Sequence, residues 1–282
     1  MSAAVDYIRG PWSIAVYTWR EGIRKKTLIG FVILSILVIF GSNIMTSFLT
    51  ELPGTNFGTD VEARMIKDIC ITTISIFGIL ITIFISASVV PSEVENKVVY
   101  TVLSKPVRRS QYLLGKFVGV QLVVIANLVL MGALFFFAIY FKQQLPPTLL
   151  LWAILLTYFE FLIVSALTFA VSCTASSAVL PTIAGLFIYI TGNLTEYLKD
   201  VRDRISAAEG VGAAEYMVGE IARVLTWILP DLQRFSMRQQ VVHLQPNDPP
   251  QDVLFGQLIV YSLLFVVIGF LISYWIFRRK EL

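Results

Sequence analysis

Val90-Pro91-Ser92-Glu93-Val94-Glu95-Asn96-Lys97, continued through Lys105-Pro106-Val107-Arg108-Arg109, is the first long polar interruption between two apolar runs. Each flanking run is long enough to cross a bilayer, which takes about 20 mostly apolar residues. The interruption is short, basic and amphipathic. Val94, Val98, Thr101 and Val102 share one helical face, with Val99 and Leu103 beside it. Pro91 suits the first position of a helix, and Glu93 and Glu95 favour the positive end of its dipole. Pro106 ends the pattern, and Arg108-Arg109 follow. The residues leave two readings open: an apolar edge that fills a groove on another protein, or a lipid-contacting loop that simply carries positive charge.

Six segments are long and apolar enough to be spans: about 28–49, 69–90, 112–141, 148–171, 178–194 and 253–277. The fifth is short and carries Pro181 near its start. Strand-like alternation is absent, which disfavours a β-barrel. The hydrophobic fraction of 56% and charged fraction of 15% agree, since a soluble domain carries nearer a quarter charged residues. The net charge of +3 is too small to suggest nucleic-acid binding. The expected fold class is therefore an all-α polytopic membrane protein with six transmembrane helices, forming one domain over 1–282. The charges in the first 27 residues and the length of the first apolar run argue against a cleaved secretory leader.

Lysine and arginine set the orientation. Arg20, Arg24, Lys25 and Lys26 precede the first span. Lys97, Lys105, Arg108, Arg109 and Lys116 lie between the second and third, and Arg278, Arg279 and Lys280 follow the sixth. Six spans put all three groups on one side, so both termini are expected in the cytoplasm. Residues 1–27 mix Trp12, Tyr17 and Trp19 with basic groups, which predicts a helix lying in the membrane interface. The outer segment 195–252 shows helical spacing at Leu198, Val201, Arg202 and Ile205, and again at Val218, Ile221, Ala222 and Leu225. Two outer amphipathic helices are expected there, then an extended stretch through Pro246, Pro249 and Pro250. Trp227-Ile228-Leu229-Pro230 is apolar enough to touch the membrane or re-enter it shallowly.

Catalytic constellations are missing. The single histidine, His243, lies in a polar stretch, and no HExxH, GxSxG or metal-ligand spacing occurs. Leu114-Gly115-Lys116 lacks the upstream glycine and the following Ser or Thr of a phosphate-binding loop. Cys70 and Cys173 fall in apolar runs without paired spacing. The chain is expected to be no enzyme. Glu160 is the one acid well inside a span. An ionised group there costs about 2.5–3.5 kcal/mol on insertion scales, so it must face protein or water. It is read either as a substrate, proton or cation site or as a buried hydrogen bond to another span. Gly115-x-x-x-Gly119 permits close helix contact.

The loop resembles that of ABC-2-type permeases, the membrane subunits of one class of ATP-binding-cassette exporters. The family pattern is a Glu ending the second span, an apolar helix, "L-x-x-P-[VI]-x-R", and a Gly-Lys opening the third span. Here these are Glu93 or Glu95, Leu103-Ser104-Lys105-Pro106-Val107-Arg108-Arg109 and Gly115-Lys116. Leu229-Pro230-Asp231-Leu232-Gln233-Arg234-Phe235 is similar to the family's "P-[DN]-[LF]-x-x-F". The family's "E-x-x-x-G-T" is not met, since Lys97-Val98-Val99-Tyr100-Thr101 has no glycine. The resemblance implies that 91–111 is a cytoplasmic coupling loop. Glu93, Glu95, Val98, Val102, Pro106, Arg108 and Arg109 would engage a separate ATPase subunit, which would bind the ATP and Mg; the chain itself would hold no cofactor. It further implies a second permease copy or a sister permease, contact with membrane lipids and a bacterial inner membrane. Two alternatives stand beside export: a complex acting mechanically on an extracytoplasmic partner, and an ATP-independent secondary transporter that uses Glu160.

Overall fold

The computed structural model describes residues 2–51, 59–96, 108–140, 147–207, 213–236 and 255–279. Every regular element among them is helical. In chain order these are α1 (Ser2–Ile23), α2 (Lys26–Glu51), α3 (Thr59–Ser88), α4 (Pro91–Glu95), α5 (Arg109–Tyr140), α6 (Pro147–Ser172) and α7 (Val179–Asn193). Then come α8 (Thr195–Ala207), α9 (Ala213–Ile228), a single 3-10 turn at Gln233–Phe235 and α10 (Phe255–Arg279).

Among the described residues, five helical stretches are long and apolar enough to cross a membrane: Lys26–Phe48, Arg64–Glu95 (α3 running on into α4), Arg109–Ile139, Leu151–Ser172 and Gly256–Arg279. The fifth expected span is different. α7 has 15 residues, about 22 Å at 1.5 Å per residue, short of the roughly 30 Å hydrocarbon core. Its end is set at Leu194, whose N–H bonds back to Ile190 and Thr191. Thr195 then opens α8, its hydroxyl donating to the Gly192 carbonyl at 2.8 Å.

The long helices surround a centre made by α3, α5 and α6. Tyr112, Phe135, Phe161 and Phe169 are fully buried there with Ile79, Ile81 and Ile83. α2 and α10 turn most of their apolar surface outward, as with Leu37, Ile44, Val260 and Val267. Such surfaces suit acyl chains. Because lipid is as apolar as leucine, helix contact rests on close packing rather than on escape from water. Small residues supply the closeness. A Cβ on Gly269 of α10 would stand 3.0 Å from the Ala166 carbonyl oxygen of α6, and one on Gly185 of α7 would meet Thr168 at 2.6 Å. Three buried hydroxyls in the spans, those of Thr82, Ser86 and Ser273, donate to carbonyls one turn back at 2.8, 2.7 and 2.7 Å.

The end of α1, the start of α5 and the end of α10 meet at one end of the bundle, so the three basic regions are gathered there. α1 packs along α5 through the Gly115-x-x-x-Gly119 pair. A Cβ on Gly115 would come within 2.6 Å of the Pro11 carbonyl oxygen, and one on Gly119 within 2.6 Å of the Thr18 Cβ. At the opposite end, α8 and α9 lie against each other, and Pro230, Asp231 and Leu232 fold back onto α7. Leu232 N–H donates to Gly192 O at 3.1 Å. Leu229 is half-buried and Pro230 buried, packed against protein. The expected extended stretch through Pro246, Pro249 and Pro250 lies outside the described residues.

Candidate functional site: the buried root of the 91–111 loop

α4 starts as its sequence suggests, with Pro91 in the first turn, where a missing N–H costs nothing. The Asn96 side chain closes it by donating to Ser92 O at 2.7 Å. One turn of helix turns Glu93 inward and leaves Glu95 exposed. Glu93 is only 4% exposed. Its carboxylate accepts the Tyr112 hydroxyl at 2.5 Å and forms an ion pair with the Lys116 ammonium. Tyr112 and Lys116 are four residues apart on α5, hence on one face.

The surroundings explain how a charge pair survives at this depth. The Lys116 Nζ lies 5.4 Å from the Tyr17 ring centre and 5.9 Å from that of Tyr112, both within cation–π range. Tyr112 in turn stacks on Phe277 of α10, with centroids 5.5 Å apart and planes 20° from parallel. Nearby, Lys25 at the α1–α2 elbow donates to the Ser88 hydroxyl at 2.9 Å and approaches Glu21 at 3.9 Å. Burial pushes the Lys25 ammonium below its ordinary pKa, with Glu21 acting in the opposite direction.

The far side of the loop is rooted separately. Gln111, in the first turn of α5, accepts the Arg108 N–H at 3.0 Å, half of a capping box. The Arg109 guanidinium donates to the carbonyls of Phe277 and Arg278 at 3.3 and 3.1 Å. It therefore caps the last turn of α10, where carbonyls lack helical partners and a cation is favoured.

The expected loop residues thus divide. Glu93 and Arg109 face the bundle, Glu95 and Arg108 are exposed, and Val98, Val102 and Pro106 lie outside the described residues. Tyr17, Lys25, Tyr112, Lys116 and Phe277 were not among the expected site residues. One sequence signal pointed their way: Lys116, charged at the mouth of an apolar span, needs an anion within reach, and Glu93 and Glu95 are the acids between the two spans.

Glu160 lies elsewhere, on α6. It is 6% exposed, and its Oε1 accepts from the Asn193 amide at 3.3 Å. Asn193 also donates to Tyr189 O at 3.1 Å. The carboxyl ties α6 to the end of α7. A third polar centre joins the opposite end of the bundle. Asp231 Oδ2 accepts from Lys199 at 2.6 Å and Arg234 at 3.0 Å, and the Asp231 N–H donates to the Tyr261 hydroxyl at 2.9 Å. No group of three or more metal-ligating side chains occurs among the described residues.

Among curated proteins no sequence relative is found. Residues 12–282 match the family model described as ABC-2 family transporter protein. That match covers the apolar helices, the buried root of the loop and the 229–235 segment together, and the chain belongs to the ABC-2 transporter family as a multi-pass membrane protein.

Proposed function

We propose that this chain is the permease subunit of an ATP-binding-cassette exporter, driven by a separate ATP-binding subunit that holds the ATP and Mg. The observation that carries the reading is the double rooting of the loop. Glu93 is fixed to α5 through Lys116 and Tyr112, and Arg109 is fixed to the end of α10. A loop held this way passes an applied push to two spans as a rigid-body movement of packed elements.

In this reading the chain crosses the membrane six times, the short α7 making the fifth crossing. Both termini and 91–111 face the cytoplasm, α1 lies in the interface, and 195–252 is outside. Val98, Val102 and Pro106, flanked by exposed Glu95 and Arg108, contact the ATPase. Glu93 and Arg109 carry the push inward. Two permease copies enclose the pathway, and an amphiphilic or lipid-like substrate suits its apolar walls.

The test is affinity purification of the full chain in mild detergent. An ATP-binding-cassette subunit should accompany it, and Glu95→Ala/Arg108→Ala should lower that recovery or break the link between ATP hydrolysis and substrate. A folded chain that brings down no such ATPase overturns the proposal.

A further inference from the structure

The exposed side of α1 is divided in a way that the fold does not require. At 100° per residue, Pro11, Ala15, Thr18 and Gly22 form one strip, and it faces α5; Ala15, Thr18 and Gly22 are buried. Trp12, Val16, Trp19 and Ile23 form the next strip. Trp12 is 56% exposed and Ile23 40%. Arg20 and Arg24 form a third strip beside it, both exposed, and Lys26 follows at the start of α2. Among the described residues neither arginine nor Lys26 forms an ion pair, and the neighbouring acid, Glu21, is turned to Lys25.

The height of α1 gives these strips different surroundings. Lys116 is the last charged residue of α5 before an uncharged run through Phe141. The hydrocarbon therefore starts near Lys116. α1 packs along α5 from Gly115 to Val123, and the Tyr17 ring 5.4 Å from the Lys116 ammonium and Lys25 bonded to Ser88 hold the second half of α1 at that border. Its tryptophan strip then meets acyl chains, and its arginine strip stands at the level of lipid phosphates.

We propose that Arg20, Arg24 and Lys26 form a binding surface for the headgroup of an anionic phospholipid, whose acyl chains lie against Trp12, Val16, Trp19 and Ile23. Charge complementarity selects this occupant. Three cations without a paired acid gain little from a zwitterionic headgroup, whereas each basic group near an anionic one strengthens binding about fivefold. The apolar strip beside them fits a chain-bearing lipid. This surface does not depend on the ATPase reading: it is a property of the permease alone.

The experiment uses the full chain with Trp12 as its single tryptophan, Trp19, Trp152, Trp227 and Trp275 being changed to Phe, in phosphatidylcholine nanodiscs. Trp12 quenching is compared for acyl-brominated phosphatidylglycerol and acyl-brominated phosphatidylcholine. The expected result is half-quenching at a mole fraction at least about tenfold lower for the glycerol lipid. Arg20→Gln/Arg24→Gln/Lys26→Gln should abolish that preference, and Arg278→Gln/Arg279→Gln should leave it. Equal quenching by the two lipids overturns the proposal. So does an equal loss in both charge variants, which would mean diffuse attraction to the basic end. Melting in pure phosphatidylcholine checks that each variant is folded. If the single-tryptophan chain does not fold, native mass spectrometry of the unaltered chain and the triple variant reads the same preference as retained lipid, and its absence in the unaltered chain counts against the site.

Discussion

Glu93 and Lys116 form an ion pair whose side chains are 5% and 1% exposed, which ties the short α4 to the mouth of the third expected span. Breaking such a pair on one side leaves an unpartnered charge in a dry site, at a cost of about 3–5 kcal/mol, whereas replacing both partners with apolar groups is often neutral. Lys116→Met and Glu93→Leu should each lower the melting temperature of the purified chain sharply. The double variant should recover most of the loss. A double variant as unstable as the singles would show that Tyr112 and the surrounding rings, not the pair, set the cost.

Arg109 caps the last turn of α10 while remaining partly exposed. Its contribution is accordingly modest, about 0.3–1 kcal/mol. Arg109→Ala should leave the global melting point nearly unchanged. Amide hydrogen exchange in the last turn of α10 should rise, with no matching rise in the middle of that helix. Unchanged exchange there would mean that α10 ends on its own.

Gly115 and Gly119 permit α1 to lie on α5 at backbone contact. A side chain at Gly115 meets the Pro11 carbonyl, which cannot rotate aside. Gly115→Val should therefore lift α1 and cost about 1–3 kcal/mol by overpacking. Limited proteolysis near the α1–α2 elbow is the readout, cleavage being faster in the variant. Gly30→Ala is the control, because a Cβ there meets nothing within 4 Å.

Glu160 accepts one hydrogen bond from Asn193, and a carboxamide oxygen accepts it equally well. Glu160→Gln should retain the unfolding free energy to within about 1 kcal/mol, the net worth of a typical hydrogen bond. It should also retain export, once a substrate is in hand. Loss of export with intact stability would instead give Glu160 a direct part in transport and favour the secondary-transport reading.

Asp231 is nine-tenths buried and gathers Lys199, Arg234 and Tyr261 around the segment 229–235. Asp231→Asn keeps the backbone donor to Tyr261 but removes the charge that both cations face. The cost should be about 1–3 kcal/mol, typical of unmaking a charged hydrogen bond. The Leu232 amide, which donates to Gly192, should exchange faster. Protection equal to the parent would place the anchor in Leu232 and Phe235 packing.

That the chain is a helical membrane protein is legible in its residues, because about 20 apolar residues in a row have few other stable states and lipid forces their backbone bonds inward. The sequence also carried the family, through Leu103 to Arg109 and Gly115-Lys116, and it marked Glu160 as a charge in need of a partner. Helical period alone did not say which partner. That Glu93 turns in while Glu95 turns out follows from where one turn of helix begins, a matter of a single residue. That Arg109 reaches the α10 carbonyls, or that Asn193 reaches Glu160, depends on how helices distant in sequence pack. The shortness of α7 was visible as a short apolar run, but its end at Leu194 is fixed by hydrogen bonds within α7, and Gly192 there is closed over by Leu232 and Pro230 from far along the chain. Periodicity is local and is written in each segment; contacts between segments depend on the shapes of all of them at once, and only the folded bundle decides those.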